Sequence, residues 1–153
     1  MAPIIVLFAA FIISLLVLRL LRGRFHPAPA LRISMACMLL LTAAGHFMFS
    51  KGMVLMLPGF IPYRMELVYA TGILEVLAAV GLLYPKTQRI TGQLLIVFFI
   101  LILPSNIYAA LHHIHLENAD HSGPGPGYLW FRIPEQLLFI GWVWAGALRK
   151  SGV

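Results

Sequence analysis

Charge is scarce in this chain, acidic charge most of all: 10% of the 153 residues are charged and only 5 are Asp or Glu, whereas 61% are hydrophobic. A soluble domain carries about a quarter charged residues, so lipid is expected to supply much of the solvent here. Cys37 is the lone cysteine, which excludes an internal disulfide, a CxxC redox pair and a thiolate cluster. With no paired intramembrane histidines either, no haem or iron–sulfur site is expected. The short alternating segments of a membrane β-barrel are also missing. The surplus of Lys and Arg gives a net charge of +6. It could suggest nucleic acid, but the basic residues stand at the ends of apolar runs, where they anchor helices at lipid headgroups. A lipid bilayer, and no nucleic acid, is the expected partner.

What the chain does have is long apolar runs, at 4–21, 31–49, 65–84, 91–111 and 129–148. Each is close to the ~20 residues that a helix needs to cross a hydrocarbon core. The breaks between them are rich in helix-breaking residues, among them Pro58, Gly59 and Pro62 and the string from Gly123 to Gly127. The expected fold is therefore an all-α membrane protein of five spans. No Lys or Arg precedes the first run, while Arg19, Arg22, Arg24 and Arg32 follow it. That polarity is the reverse of a signal peptide, despite the Ala28-x-Ala30 string, and fits a retained helix. Lys86, Arg89, Arg149 and Lys150 fall on the same side as this cluster, and Lys51, Arg64 and Arg132 on the other. The asymmetry predicts an N-terminus outside and a C-terminus in the cytoplasm. Phe60, Tyr63, Tyr128, Trp130 and Phe131 are expected in an outer aromatic belt, and Tyr84, Trp142 and Trp144 in an inner one.

Polar side chains inside the spans are expensive in lipid and therefore informative. At a rise of ~1.5 Å per residue, His46, Asn106, Arg132, Glu135 and Gln136 lie within about 5–11 Å of the outer ends of their spans. Arg132, Glu135, Gln136, Phe139 and Val143 share one helix face, which is expected to turn inward. Thr42 lies one turn below His46. Glu75 comes out near the bilayer centre, about 10 Å deeper than His46, too far for the two to cooperate directly. It is expected to be protonated or hydrogen-bonded to Thr42 or Gln136. Pro104 should kink its helix and free the Ile100 carbonyl. Glu66, on the opposite side of its helix from Glu75, is expected at the interface. The cluster has two readings: buried polar groups that hold helices in register, or an outward-opening pocket formed by His46, Glu75, Asn106, Arg132, Glu135, Gln136 and Thr42.

Beyond the fourth span, His112, His113, His115, Glu117, Asp120 and His121 crowd a Gly/Pro-rich loop. Imidazole and carboxylate suit Zn²⁺ or Cu²⁺, but the spacing matches no closed structural-zinc pattern. A flexible loop without a metal is the expectation, with His112, His113, His115 and His121 as the candidates otherwise.

From Gly45 to Gly146 the strings run GHF at Gly45 to Phe47, LPGFIP at Leu57 to Pro62, LVYATGILEVLAAVGLL at Leu67 to Leu83, PKTQR at Pro85 to Arg89, LPSNIYAA at Leu103 to Ala110, and FRIPEQLLFIGWVW at Phe131 to Trp144. In this order they resemble the DoxX-like family of small bacterial membrane proteins. The resemblance implies a four-helix bundle in residues 28–153, with helices near 31–49, 65–84, 88–111 and 129–148. A transmembrane helix and basic inner loop in residues 1–27 would be an addition to it. It also implies a bacterial inner-membrane location. The family takes its name from a subunit associated with a terminal quinol oxidase, and the membrane chaperone of acetylcholine receptors has a similar four-helix layout.

The resulting expectation is an accessory protein without catalytic activity of its own, whose outer-leaflet pocket binds a quinone or lipid-like molecule in support of a membrane redox complex. His46, Asn106 and Arg132 would hydrogen-bond its carbonyls, with Phe98, Phe99 and Phe139 against the ring. One alternative is an assembly factor presenting Gly72, Ala78, Ala79 and Gly81 to another protein's helices. A small transporter is a third, although no internal repeat is detected, and an enzyme with Glu75 as acid and His46 as base is a fourth.

Overall fold

The computed structural model describes residues 2–149; Lys150 and the C-terminus, placed inside above, lie outside the described residues. The helices are α1 (Ala2–Arg22), α2 (Pro27–Met48), α3 (Ser50–Leu55), α4 (Arg64–Leu83), α5 (Gln88–Leu111) and α6 (Leu129–Val143). The last runs directly into a π-helical turn at Trp144–Leu148. Among the described residues there is no strand, only an isolated bridge between His115 and Asp120. α1, α2, α4 and α5 are each long and apolar enough to cross a membrane, the build of a multi-pass membrane protein. α6 alone has 15 residues, and approaches the ~20 of a span only with its π turn included.

Local chemistry sets the ends. Gly23 terminates α1 with φ +68 and donates its N–H to Arg19 O at 2.9 Å, a left-handed cap that glycine adopts without strain. α2 starts at Pro27, ahead of the expected position, because Pro27 and Pro29 occupy a first turn whose N–H groups have no helical partner anyway. α3 was expected to be part of a connection. It forms because the chain bends at Phe49 but keeps helical bonding, Phe49 N–H to Gly45 O and Met53 N–H to Phe49 O.

The bundle is apolar outside and partly polar inside. Ile13, Leu77, Leu94, Leu101 and Leu137 are exposed, whereas Ser34, Glu75, Asn106, Glu135 and Gln136 are buried. That distribution suits helices solvated by hydrocarbon. Leu39, Ala79, Leu82, Leu95, Phe99, Phe139 and Val143 form the apolar core. α2 is central, packed against α1 on one side and α4 on the other.

α1 is joined to this core through Trp142. The indole meets Phe8 and Phe11 edge-on, at 5.2 and 5.1 Å between centroids. Its N–H is shared by Ser34 Oγ at 3.0 Å and Leu31 O at 3.2 Å. The indole N–H needs an acceptor in this joint, and α2 supplies two. Trp130, Tyr63 and Phe60 are exposed.

Small residues bring the helices close. A Cβ on Gly72 would stand 2.8 Å from His46 Cβ, one on Gly81 would stand 2.4 Å from Thr91 Oγ1, and one on Gly92 would stand 2.7 Å from Ala147 Cβ. Gly72 and Gly81, with buried Ala79, thus serve contacts inside the chain. They do not form the outward surface expected for a client's helices.

Candidate functional site

The end of the bundle that carries connections 49–63 and 112–128 is called outer. The opposite end is called basic, after Arg19, Arg22, Arg32, Lys86, Arg89 and Arg149. On α4 the buried positions are Val68, Gly72, Glu75, Ala79 and Leu82, and on α6 they are Glu135, Gln136, Phe139 and Val143. Both spacings follow a single helical stripe, so Glu75, Glu135 and Gln136 face inward just outside the apolar core. Asn106 lies on the buried stripe of α5 with Leu95 and Phe99.

Hydrogen bonds and ion pairs link these groups in two sets. The first is the α2–α4 seam. His46 Nε2 stands 3.6 Å from Glu75 Oε2, and His46 Nδ1 lies 2.9 Å from Val68 O and 3.1 Å from Thr71 Oγ1. A proton on Nδ1 donated to the Val68 carbonyl leaves Nε2 turned to the carboxyl. The expected separation of His46 and Glu75 is thereby corrected, for two reasons. His46 lies opposite Gly72, eight residues into α4, so α4 begins roughly 8 Å farther out than α2 ends. Side chains also tilt toward the N-terminus of their helix, so Glu75 leans outward and His46 leans inward.

Thr42 and Gln136, the expected partners of Glu75, are engaged elsewhere. Thr42 donates to Leu39 O at 3.0 Å, one turn back on its own helix.

The second set is the α5–α6 seam. Arg132 Nη1 donates to Glu135 Oε2 at 2.6 Å, and Gln136 Nε2 donates to Phe99 O at 2.5 Å. That carbonyl lies one residue before Ile100, whose helical donor Pro104 removes. Phe99 and Phe139 pack on each other, with centroids 5.7 Å apart. Glu75 Oε2 and Glu135 Oε1 are buried and lack a hydrogen-bond partner. They are the unsatisfied acceptors of the two seams.

Two clefts lie elsewhere. One of about 340 Å³ is lined by Pro126, Leu129, Trp130, Ile133 and Pro134. The other, of about 220 Å³, includes Arg32, Gln88, Arg89 and Arg149. Neither is lined by Thr42, His46, Glu75, Asn106, Arg132, Glu135 or Gln136.

The His-rich loop, expected to be flexible, is folded. His115 N–H bonds Asp120 O at 2.8 Å, and Gly123 N–H bonds His113 O at 2.6 Å. His112 Nδ1 lies 2.9 Å from Tyr108 O, and His121 Nδ1 lies 2.9 Å from His112 O. His115 Nδ1 accepts from Asn118 N–H at 3.2 Å. These imidazoles serve the backbone, and among the described residues no three His, Cys, Asp or Glu side chains are placed to hold a metal. Ser122 donates its hydroxyl and its N–H to Asp120 Oδ1, at 2.5 and 3.0 Å. Those two bonds, with His115 and His121 nearby, hold the Asp120 carboxyl below the usual carboxylate range.

Thr71 was missed as a member of the first set. It was findable, being one turn before Glu75 on the same face. The convergence of Arg32, Gln88, Arg89 and Arg149 was missed too, because charges at helix ends were credited only with anchoring.

No curated protein and no solved structure matches the chain. Residues 35–147, from within α2 to within the π turn and most of the chain, match the family described as a domain of unknown function (DUF8561), and the chain belongs to that family.

Proposed function

We propose that the chain is an accessory membrane protein that binds a quinone or lipid-like molecule among the inward polar groups of its outer half. The observation that carries this reading is the pair of buried acceptors without partners, Glu75 Oε2 and Glu135 Oε1. Leaving such an atom without a donor costs on the order of 1–3 kcal/mol, and a ligand hydroxyl would remove that cost. The chemistry therefore favours a hydroxyl-bearing molecule, a quinol or a lipid with a hydroxylated headgroup, over one with carbonyls alone. Asn106 and Arg132 would meet its remaining oxygens. Phe99 and Phe139, already packed together, would form a floor beneath the ring and not a clamp around it. No catalytic residue is assigned.

In this reading α6 with its π turn is the fifth span. α2, α4, α5 and α6 make up a DoxX-like core, and α1 is added to it. The basic end faces the cytoplasm of a bacterial inner membrane, in keeping with the excess of Arg and Lys there.

Native mass spectrometry of the protein extracted in mild detergent tests the proposal. Wild type should retain a quinol or lipid adduct that Glu75→Leu and Glu135→Leu each weaken. A wild-type protein that is empty would sink it.

A second reading, an assembly factor, is favoured by Trp130, 88% exposed, beside the apolar cleft of Pro126, Leu129, Ile133 and Pro134. Crosslinking in native membranes separates the two, since a stoichiometric client without a bound small molecule would support assembly.

A further inference from the structure

At the basic end of the bundle, three arginines from three separate elements surround one cleft of about 220 Å³: Arg32 of α2, Arg89 of α5, and Arg149 just after the π turn. Gln88 lines the same cleft and accepts a hydrogen bond from Arg32 Nη1. Its wall is set by close backbone packing, since a Cβ on Gly146 would stand 3.0 Å from Leu31 Cβ and 3.5 Å from Arg32 N. Among the described residues no carboxylate lines the cleft. The 5 acidic residues of the sequence are Glu66, Glu75, Glu117, Asp120 and Glu135, which belong to α4, α6 and the outer loop.

We infer that this cleft binds the phosphate group of an anionic phospholipid. Guanidinium groups match phosphate oxygens through paired N–H donors, and the first turn of α5, where Gln88 and Arg89 lie, adds backbone N–H groups and the positive end of a helix dipole. Water occupies roughly 30 Å³ per molecule, so the cleft has room for a phosphate and its ester oxygens. Its place at the ends of three membrane helices selects a headgroup source over a soluble one, because a lipid phosphate is already held at that depth. The π turn fits this role, since such turns occur often at functional sites. The site is separate from the polar seams of the outer half and does not depend on what they bind.

The test uses the full chain reconstituted in nanodiscs of phosphatidylcholine with and without phosphatidylglycerol or cardiolipin, read by native mass spectrometry of retained lipid. Arg89→Gln and Arg149→Gln alter exposed side chains and should leave the fold intact, whereas Arg32 is partly buried and is kept. The wild type should retain the anionic lipid over phosphatidylcholine. Each substitution should weaken retention by about fivefold, the effect of one basic residue at an anionic surface. Arg19→Gln and Arg22→Gln, at the same end but outside the cleft, should change it little. Equal losses from both pairs would mean general surface attraction and would overturn the site. So would displacement of the lipid by an equal concentration of inorganic phosphate, which would assign the cleft to a soluble anion. Retention unchanged in the Arg89→Gln, Arg149→Gln double variant would overturn it outright.

Discussion

Each polar seam holds one buried carboxyl, and each holds it by a different device. Between α2 and α4, Glu75 faces His46 of another helix at 3.6 Å, and its Oε2 makes no hydrogen bond. Along α6, Glu135 is gripped at 2.6 Å by Arg132, three residues earlier on the same helix. The first arrangement ties two helices together. The second neutralises a charge within one helix and leaves the tie between helices to Gln136 on the Phe99 carbonyl. Similar residues can thus contribute to assembly of the bundle or only to the solvation of one of its parts.

The largest expected effect comes from breaking the pair within α6. Arg132→Met leaves a buried carboxylate without its cation, which typically costs about 3–5 kcal/mol. Denaturation in detergent should show that loss, and adding Glu135→Leu should restore most of it. If the double variant were as unstable as the single, the pair would be serving a contact between helices after all.

A smaller effect is expected at the α2–α4 seam. Gly72→Leu must push against His46, whose Cβ is 2.8 Å from the position of a new Cβ, and overpacking of this kind costs about 1–3 kcal/mol. Gly141→Leu in α6, where nothing lies within 4 Å, is the matched control and should lower the melting temperature little. Leu is a better helix former than Gly, so similar losses in both could not come from propensity and would remove the close approach at the seam as the cause.

The smallest concerns the loop that joins the seams at their outer end, where the Leu116 carbonyl packs against Gly52 of α3. The Asp120 carboxyl is held below its unfolded value by Ser122. Its contribution to loop order is therefore complete above the ordinary carboxylate range and is lost as pH falls through the lowered value. Proteolytic nicking within residues 112–125 should rise at acid pH in the wild type. In Asp120→Asn it should be higher at neutral pH and less dependent on acid; a steep acid response in that variant would remove Asp120 as the cause.

How much of this was legible varied with the kind of signal. The inward face of α6 followed from spacing alone, because Glu135, Gln136, Phe139 and Val143 repeat at the helical period. The meeting of His46 with Glu75 did not, because depth was measured from helix ends taken as level, and α3 and its connection let α4 start farther out than α2 stops. The hydrogen bonds of Trp142 were hidden too, because its acceptors, Leu31 and Ser34, lie on α2, 111 and 108 residues away in sequence. The ordered His-rich loop was hidden because its bonds run between imidazoles and backbone groups, a pairing that leaves no periodic trace in sequence.

The π turn at Trp144–Leu148 has a consequence for how the two ends of α6 are geared. Such a turn carries one more residue than an α turn, so it advances everything beyond it by about 100° around the helix axis. Glu135 and Gln136 keep their inward bearing, while Arg149 is brought around to meet Arg32 and Arg89. The phase between the outer acceptors and the basic cleft is thus set by a single residue. Loss of Ala145 would swing Arg149 away from its companions and leave the polar seams as they are.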